Sequence, residues 1–155
     1  MKRLLTAIAL SLLLAGPVAA NDSGYSGSFG SGGGDLMSQA RQAIDMGSYA
    51  AAISLLKQVS RQDPDDADAY NLLGFSHRKL GQYDSAERFY HKALEIDPEH
   101  RGANEYLGEL YLETNRPKMA EQRLEVLDDA CTWGCKEYDQ LHAAIERYRK
   151  DHGTS

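Results

Sequence analysis

The sequence predicts an all-α chain in which about three helix-turn-helix repeats stack as a solenoid and a single C-terminal helix caps the stack. Three observations lead there. Residues recur at a fixed offset of 34, proline and glycine sit where that offset needs helices to end, and one amphipathic helical stripe follows the last repeat.

The offset is read directly from the chain. Asp63-Pro64 returns as Asp97-Pro98, Gly47 as Gly81, Tyr49 as Tyr83, Leu73-Gly74 as Leu107-Gly108, and Ala52 as Ala86 and Ala120. The repeats therefore cover 33–66, 67–100 and 101–134. Gly74 with Ala86, and Gly108 with Ala120, are small residues placed for close approach of two antiparallel helices, while Tyr70, Leu73, Phe89, Tyr90 and Leu94 fill the space between pairs. Gly81 can close a helix in the left-handed conformation, and Pro64 and Pro98 stop a helix because proline has no N–H to donate. Helices are expected near 35–46, 49–61, 67–80, 83–96, 101–114 and 117–130, with Pro117 in the first turn of the last. Beyond them Tyr138, Leu141, Ile145 and Tyr148 share one stripe at spacings of three and four, which makes 135–151 the cap.

The middle repeat, through Tyr70, Leu73, Gly74, Gly81, Tyr83, Ala86, Tyr90, Ala93 and Pro98 in register, resembles the tetratricopeptide-repeat family. The first repeat keeps Ala40, Gly47, Tyr49, Ala52 and Pro64, and the third keeps Leu107, Gly108, Tyr111 and Ala120. This resemblance implies a scaffold that binds a protein or peptide in the concave groove made by the first helix of each repeat. It implies groove positions at Met37, Arg41, Ile44 and Asp45, at Asp68, Asn71, Phe75, Arg78 and Lys79, and at Glu105, Glu109, Leu112 and Glu113. The carboxylate clamp of some relatives needs basic residues in the third repeat, where this chain has glutamates. Glu105, Glu109 and Glu113 form a like-charge stack at four-residue steps, read either as a solvated face or as an acidic wall for a basic segment.

The remaining segments bear on location. Lys2 and Arg3, the apolar run Leu4–Ala15 and the small residues Val18-Ala19-Ala20 have the layout of a secretory signal peptide covering 1–20. Export to the periplasm, or secretion, is the expectation, with no membrane insertion after cleavage. Residues 21–34 are rich in Gly and Ser and read as a flexible linker, with Tyr25 and Phe29 as a minor candidate docking strip. Losing Lys2 and Arg3 takes the formal net charge from −6 to −8, which argues against nucleic acid as a partner.

No catalytic or cofactor constellation emerges: there is no phosphate loop, zinc helix or nucleophile elbow, and the five histidines are scattered. The expectation is a non-enzyme without metal or cofactor. The two cysteines, Cys131 and Cys135, bracket Thr132-Trp133-Gly134 and in an oxidising compartment most simply form a disulfide. Thiol exchange, or metal binding through Cys131, Cys135 and His142, are the competing readings, and they define the alternative function of a small thiol- or metal-handling protein.

Overall fold

The computed structural model describes residues 33–153, so the expected signal peptide, most of the linker, and Tyr25 with Phe29 lie outside the described residues. Seven helices follow one another: α1 (Gly33–Asp45), α2 (Tyr49–Gln62), α3 (Ala67–Lys79), α4 (Tyr83–Ile96), α5 (Arg101–Glu113), α6 (Pro117–Ala130) and α7 (Lys136–His152). No strand occurs among the described residues. The all-α repeat solenoid predicted from the 34-residue offset is the fold observed.

The helix ends show why the offset persists. At the turn inside each pair, Gly47, Gly81 and Asn115 take φ of 72°, 71° and 59°. Each supplies its amide to a carbonyl three residues back, and the next residue donates five back: Ser48 to Ala43, Gln82 to His77 and Arg116 to Tyr111, at 2.8, 2.9 and 2.7 Å. This double bond set satisfies carbonyls that the ending helix leaves free. Asparagine serves in the third repeat because, after glycine, its short amide side chain best tolerates the left-handed region.

Between pairs a second device repeats. The Oδ1 of Asp63 accepts from the Asp65 amide and the Oδ1 of Asp97 from the Glu99 amide, each at 3.1 Å. Three residues after each of these aspartates comes a helix cap. Asp66 Oδ1 accepts from the Ala69 amide at 2.9 Å, and His100 Nδ1 accepts from the Ala103 amide at 3.1 Å. His100 thus does for α5 what an acidic cap does for α3. Pro117 occupies the first turn of α6 as expected.

Packing joins these elements into a continuous stack. Ala40, Ala52, Ile53, Leu56 and Leu73 form a buried cluster between the first two pairs. Ala86, Tyr90, Leu107, Leu110, Tyr111, Ala120 and Leu127 form a second, which Leu141 and Ile145 of α7 complete. The cap packs on both α5 and α6. The two glycines of the repeat signature have different neighbours. A Cβ at Gly74 would lie 2.5 Å from the Tyr90 ring, the intra-pair approach expected, but one at Gly108 would lie 2.5 Å from Leu141 Cδ2. The tight approach at Gly108 is therefore made by α7, and not by α6 as the sequence had implied. That correction follows from α7 lying against α5 as the next pair's first helix would.

Candidate binding groove

The first helix of each pair and the cap present one continuous face, and the expected groove residues meet across it. Arg41 of α1 donates to Asp68 Oδ2 of α3 at 2.9 Å. Because His100 Nδ1 already accepts the Ala103 amide, its Nε2 carries the proton and donates to Asp68 Oδ1 at 3.1 Å. One aspartate therefore ties α1, α3 and the N-cap of α5 together. Further along, the guanidinium of Arg78 lies 2.7 Å from Glu109 Oε2 and 2.7 Å from Glu113 Oε1. Its side chain is only 10% exposed. Burial alone would ease loss of the Arg78 proton, but the hydrogen bond to Glu113 and the charge of Glu109 outweigh it and hold the cation firmly. Two of the three stacked glutamates are thus neither simply solvated nor free to meet a partner's cation: they hold Arg78.

The third is different. Glu105 is 4% exposed, and among the described residues no hydrogen bond or ion pair reaches its carboxylate. Burial, followed by the charges of Glu109 and Glu137, pushes its pKa up to about 7. Asn71 is also buried, with its Oδ1 left without a partner, whereas Asp45 and Lys79 are exposed. The floor of the groove is aromatic. Phe75 and Tyr106 pack with ring centroids 5.1 Å apart, Tyr49 stands edge-on to Phe75 at 6.2 Å, and the Lys79 ammonium lies 5.4 Å from the Phe75 centroid. A groove of about 330 Å³ continues between α5 and α7, lined by Arg78, Glu109, Leu112, Glu113, Ala144, Arg147 and Tyr148.

Comparison with known proteins decides the fold's kinship. A tetratricopeptide-repeat model matches residues 67–100, and a second repeat model matches 41–81. The described residues have the tetratricopeptide-repeat solenoid fold. The TPR domain of Sgt2 from Aspergillus fumigatus superposes with TM-score 0.70 at 21% identity, over 78% of this chain and 79% of that one. The Yersinia enterocolitica type III secretion chaperone SycD, in complex with a peptide of the translocator YopD, superposes with TM-score 0.67 at 20% identity, over 77% of this chain and 93% of that one. In sequence, tetratricopeptide repeat protein 37 of Xenopus laevis is 27% identical over 124 residues, 73% of this chain. The chain spans only 8% of that relative's length.

Within the solenoid, several residues that hold the groove together were not singled out from sequence. His100 looked like one of five scattered histidines. Its tie to Asp68 was nevertheless signalled, because 100 is 34 past the cap Asp66. Tyr106 and Glu137 carried no repeat signature. At the far corner Cys131 and Cys135 are within bonding distance, with Sγ atoms 2.06 Å apart and Cα atoms 5.6 Å apart. The pair is thus placed for the disulfide expected in an oxidising compartment. Among the described residues no group of three His, Cys, Asp or Glu is placed to hold a metal ion.

Proposed function

We propose that this chain is a non-catalytic scaffold that holds an extended segment of another protein in the groove of α1, α3, α5 and α7, acting in the periplasm or outside the cell after removal of residues 1–20. The observation that carries the reading is the partly buried aromatic and charged face built around Phe75, Tyr106 and the Arg78–Glu109–Glu113 set. Its ion pairs are formed within the chain, so the surface needs little reorganisation to receive a ligand. The peptide held by SycD supports the same mode of action on a similar fold. Glu105, the one stacked glutamate that does not hold Arg78, and a net charge of −6 for the whole chain favour a basic segment.

A photo-crosslinking side chain in place of Lys79, introduced in the producing cell, tests this. Lys79 is exposed at the edge of the aromatic floor. The expected result is a discrete crosslinked protein partner that is lost when Phe75→Ala is added and is absent when the probe replaces exposed Glu95 of α4. Crosslinking of equal yield from both positions would reject the groove as the binding surface.

A further inference from the structure

The groove contains one charged group that the fold leaves unanswered. Glu105 is 4% exposed. Of the cations whose charge reaches it, Arg78 of α3 is bound between Glu109 and Glu113, and Lys136 of α7 acts on it from an exposed position without forming an ion pair among the described residues. The carboxylates facing it, Glu109 from its own helix and Glu137 from α7, add negative charge. Four buried side-chain atoms are wholly shielded and lack partners, Asn71 Oδ1, Ser76 Oγ, His77 Nε2 and Tyr90 Oη, and the Glu105 oxygens are not among them. Most of the residue is therefore enclosed, while its carboxylate is not sealed off from the surface.

A buried carboxylate without a partner is costly, since removing it from water is not repaid by any bond. Such an arrangement is relieved by a cation brought in from outside. We propose that Glu105, flanked by Glu109 and Glu137, is a receptor for the ammonium group of a single lysine carried by the bound segment. Lysine fits because its charge is a compact group with three N–H donors on a slender, flexible stem. A guanidinium is a broad planar fork that needs a wider approach. This rests on the groove reading above and adds the chemistry of one contact. Burial raises the Glu105 pKa, and seating an ammonium beside it would favour the ionised form, so a proton leaves as the ligand enters.

The test follows the Glu105 side-chain carboxyl carbon by NMR through a pH titration of the whole protein, with n-butylammonium as the lysine mimic. Tetramethylammonium, equal in charge but without N–H groups, serves as control at matched ionic strength. The expected result is a saturable butylammonium effect that lowers the Glu105 midpoint by about one pH unit or more, equivalent to a tenfold preference for the ionised form. Tetramethylammonium should leave the midpoint in place, and Glu105→Gln, nearly the same shape, should abolish saturable butylammonium shifts at neighbouring Glu109 and Glu137. No saturable effect, or an equal effect of both cations, overturns the receptor. If that happens while the Lys79 crosslink persists, the groove reading stands and this inference alone falls. A butylammonium response with no crosslink would leave an ammonium site but overturn its assignment to a lysine of a protein segment held in the groove.

Discussion

At the scale of single residues, the groove is organised by how each charge is answered. Asp68 receives both Arg41 and His100, Arg78 receives two glutamates, and Glu87 takes a two-pronged grip from Arg116 at 2.8 Å for each oxygen. The hydrogen bonds from Arg116 hold the Glu87 carboxyl below the usual carboxylate range. Glu105 is the exception, and its consequence for stability can be worked out. Below about pH 4.5 the group is protonated in folded and unfolded chains alike. Between there and its folded pKa of about 7 the unfolded chain releases the proton while the folded chain keeps it, so stability falls as pH rises through this window. At 1.36 kcal/mol per pH unit the loss is on the order of 3 kcal/mol. Glu105→Gln should therefore melt close to the parent at pH 4.5 and clearly above it at pH 7.5. Equal melting temperatures at pH 7.5 would mean that the carboxylate is well solvated or paired in solution.

At the scale of elements, packing turns on two glycines whose neighbours differ in stiffness. Gly74 faces the flat, fully buried ring of Tyr90, which cannot fold aside. Gly74→Ala should cost about 1–3 kcal/mol through overpacking, against which the better helix propensity of alanine returns up to about 1 kcal/mol. Gly74→Leu should cost more, and a thermal melt of Gly74→Leu matching the parent would disprove the close approach. Gly108 meets methyl groups at the end of Leu141, so Gly108→Ala should displace the cap rather than the repeat. The measurable sign is loss of amide-exchange protection confined to α7 and the facing side of α5, with α3 and α4 unchanged.

At the scale of the whole molecule, stability is distributed between neighbours, because in a repeat stack each unit touches mainly the next. The cysteine corner joins the last repeat to the cap across a loop that includes the single tryptophan, Trp133, which is 98% exposed. Closing so short a loop contributes about 2 kcal/mol by chain entropy. Reduction should lower the melting temperature modestly and free α7 to exchange before the middle repeat does, while Cys131→Ser with Cys135→Ser reproduces the reduced protein. Protein taken from intact producing cells should begin at Asn21 and react with no thiol reagent until reduced. An intact Met1 terminus or two reactive thiols would remove the basis for an exported scaffold.

The sequence alone determined the repeat length, the seven helices and their order, because those features depend on local rules: which residues end a helix, which tolerate positive φ, and which share a face at spacings of three and four. The third-repeat turn at Asn115 and the cap at His100 lie 34 past Gly81 and Asp66, but neither was singled out from the sequence, because neither keeps the residue type of its counterpart in the middle repeat. Which charges remain unanswered was decided only by the tertiary structure. Arg78 and Glu113 are 35 positions apart, as are no two members of a single helix here, and only the packing of α3 beside α5 makes them partners. Likewise the enclosure of Glu105 and the approach to Gly108 depend on where α7 lies. A face pattern specifies that a helix has a buried side, but the identity of the neighbour across it is set by the stack as a whole, and with it the environment that turns one glutamate of three into a candidate receptor.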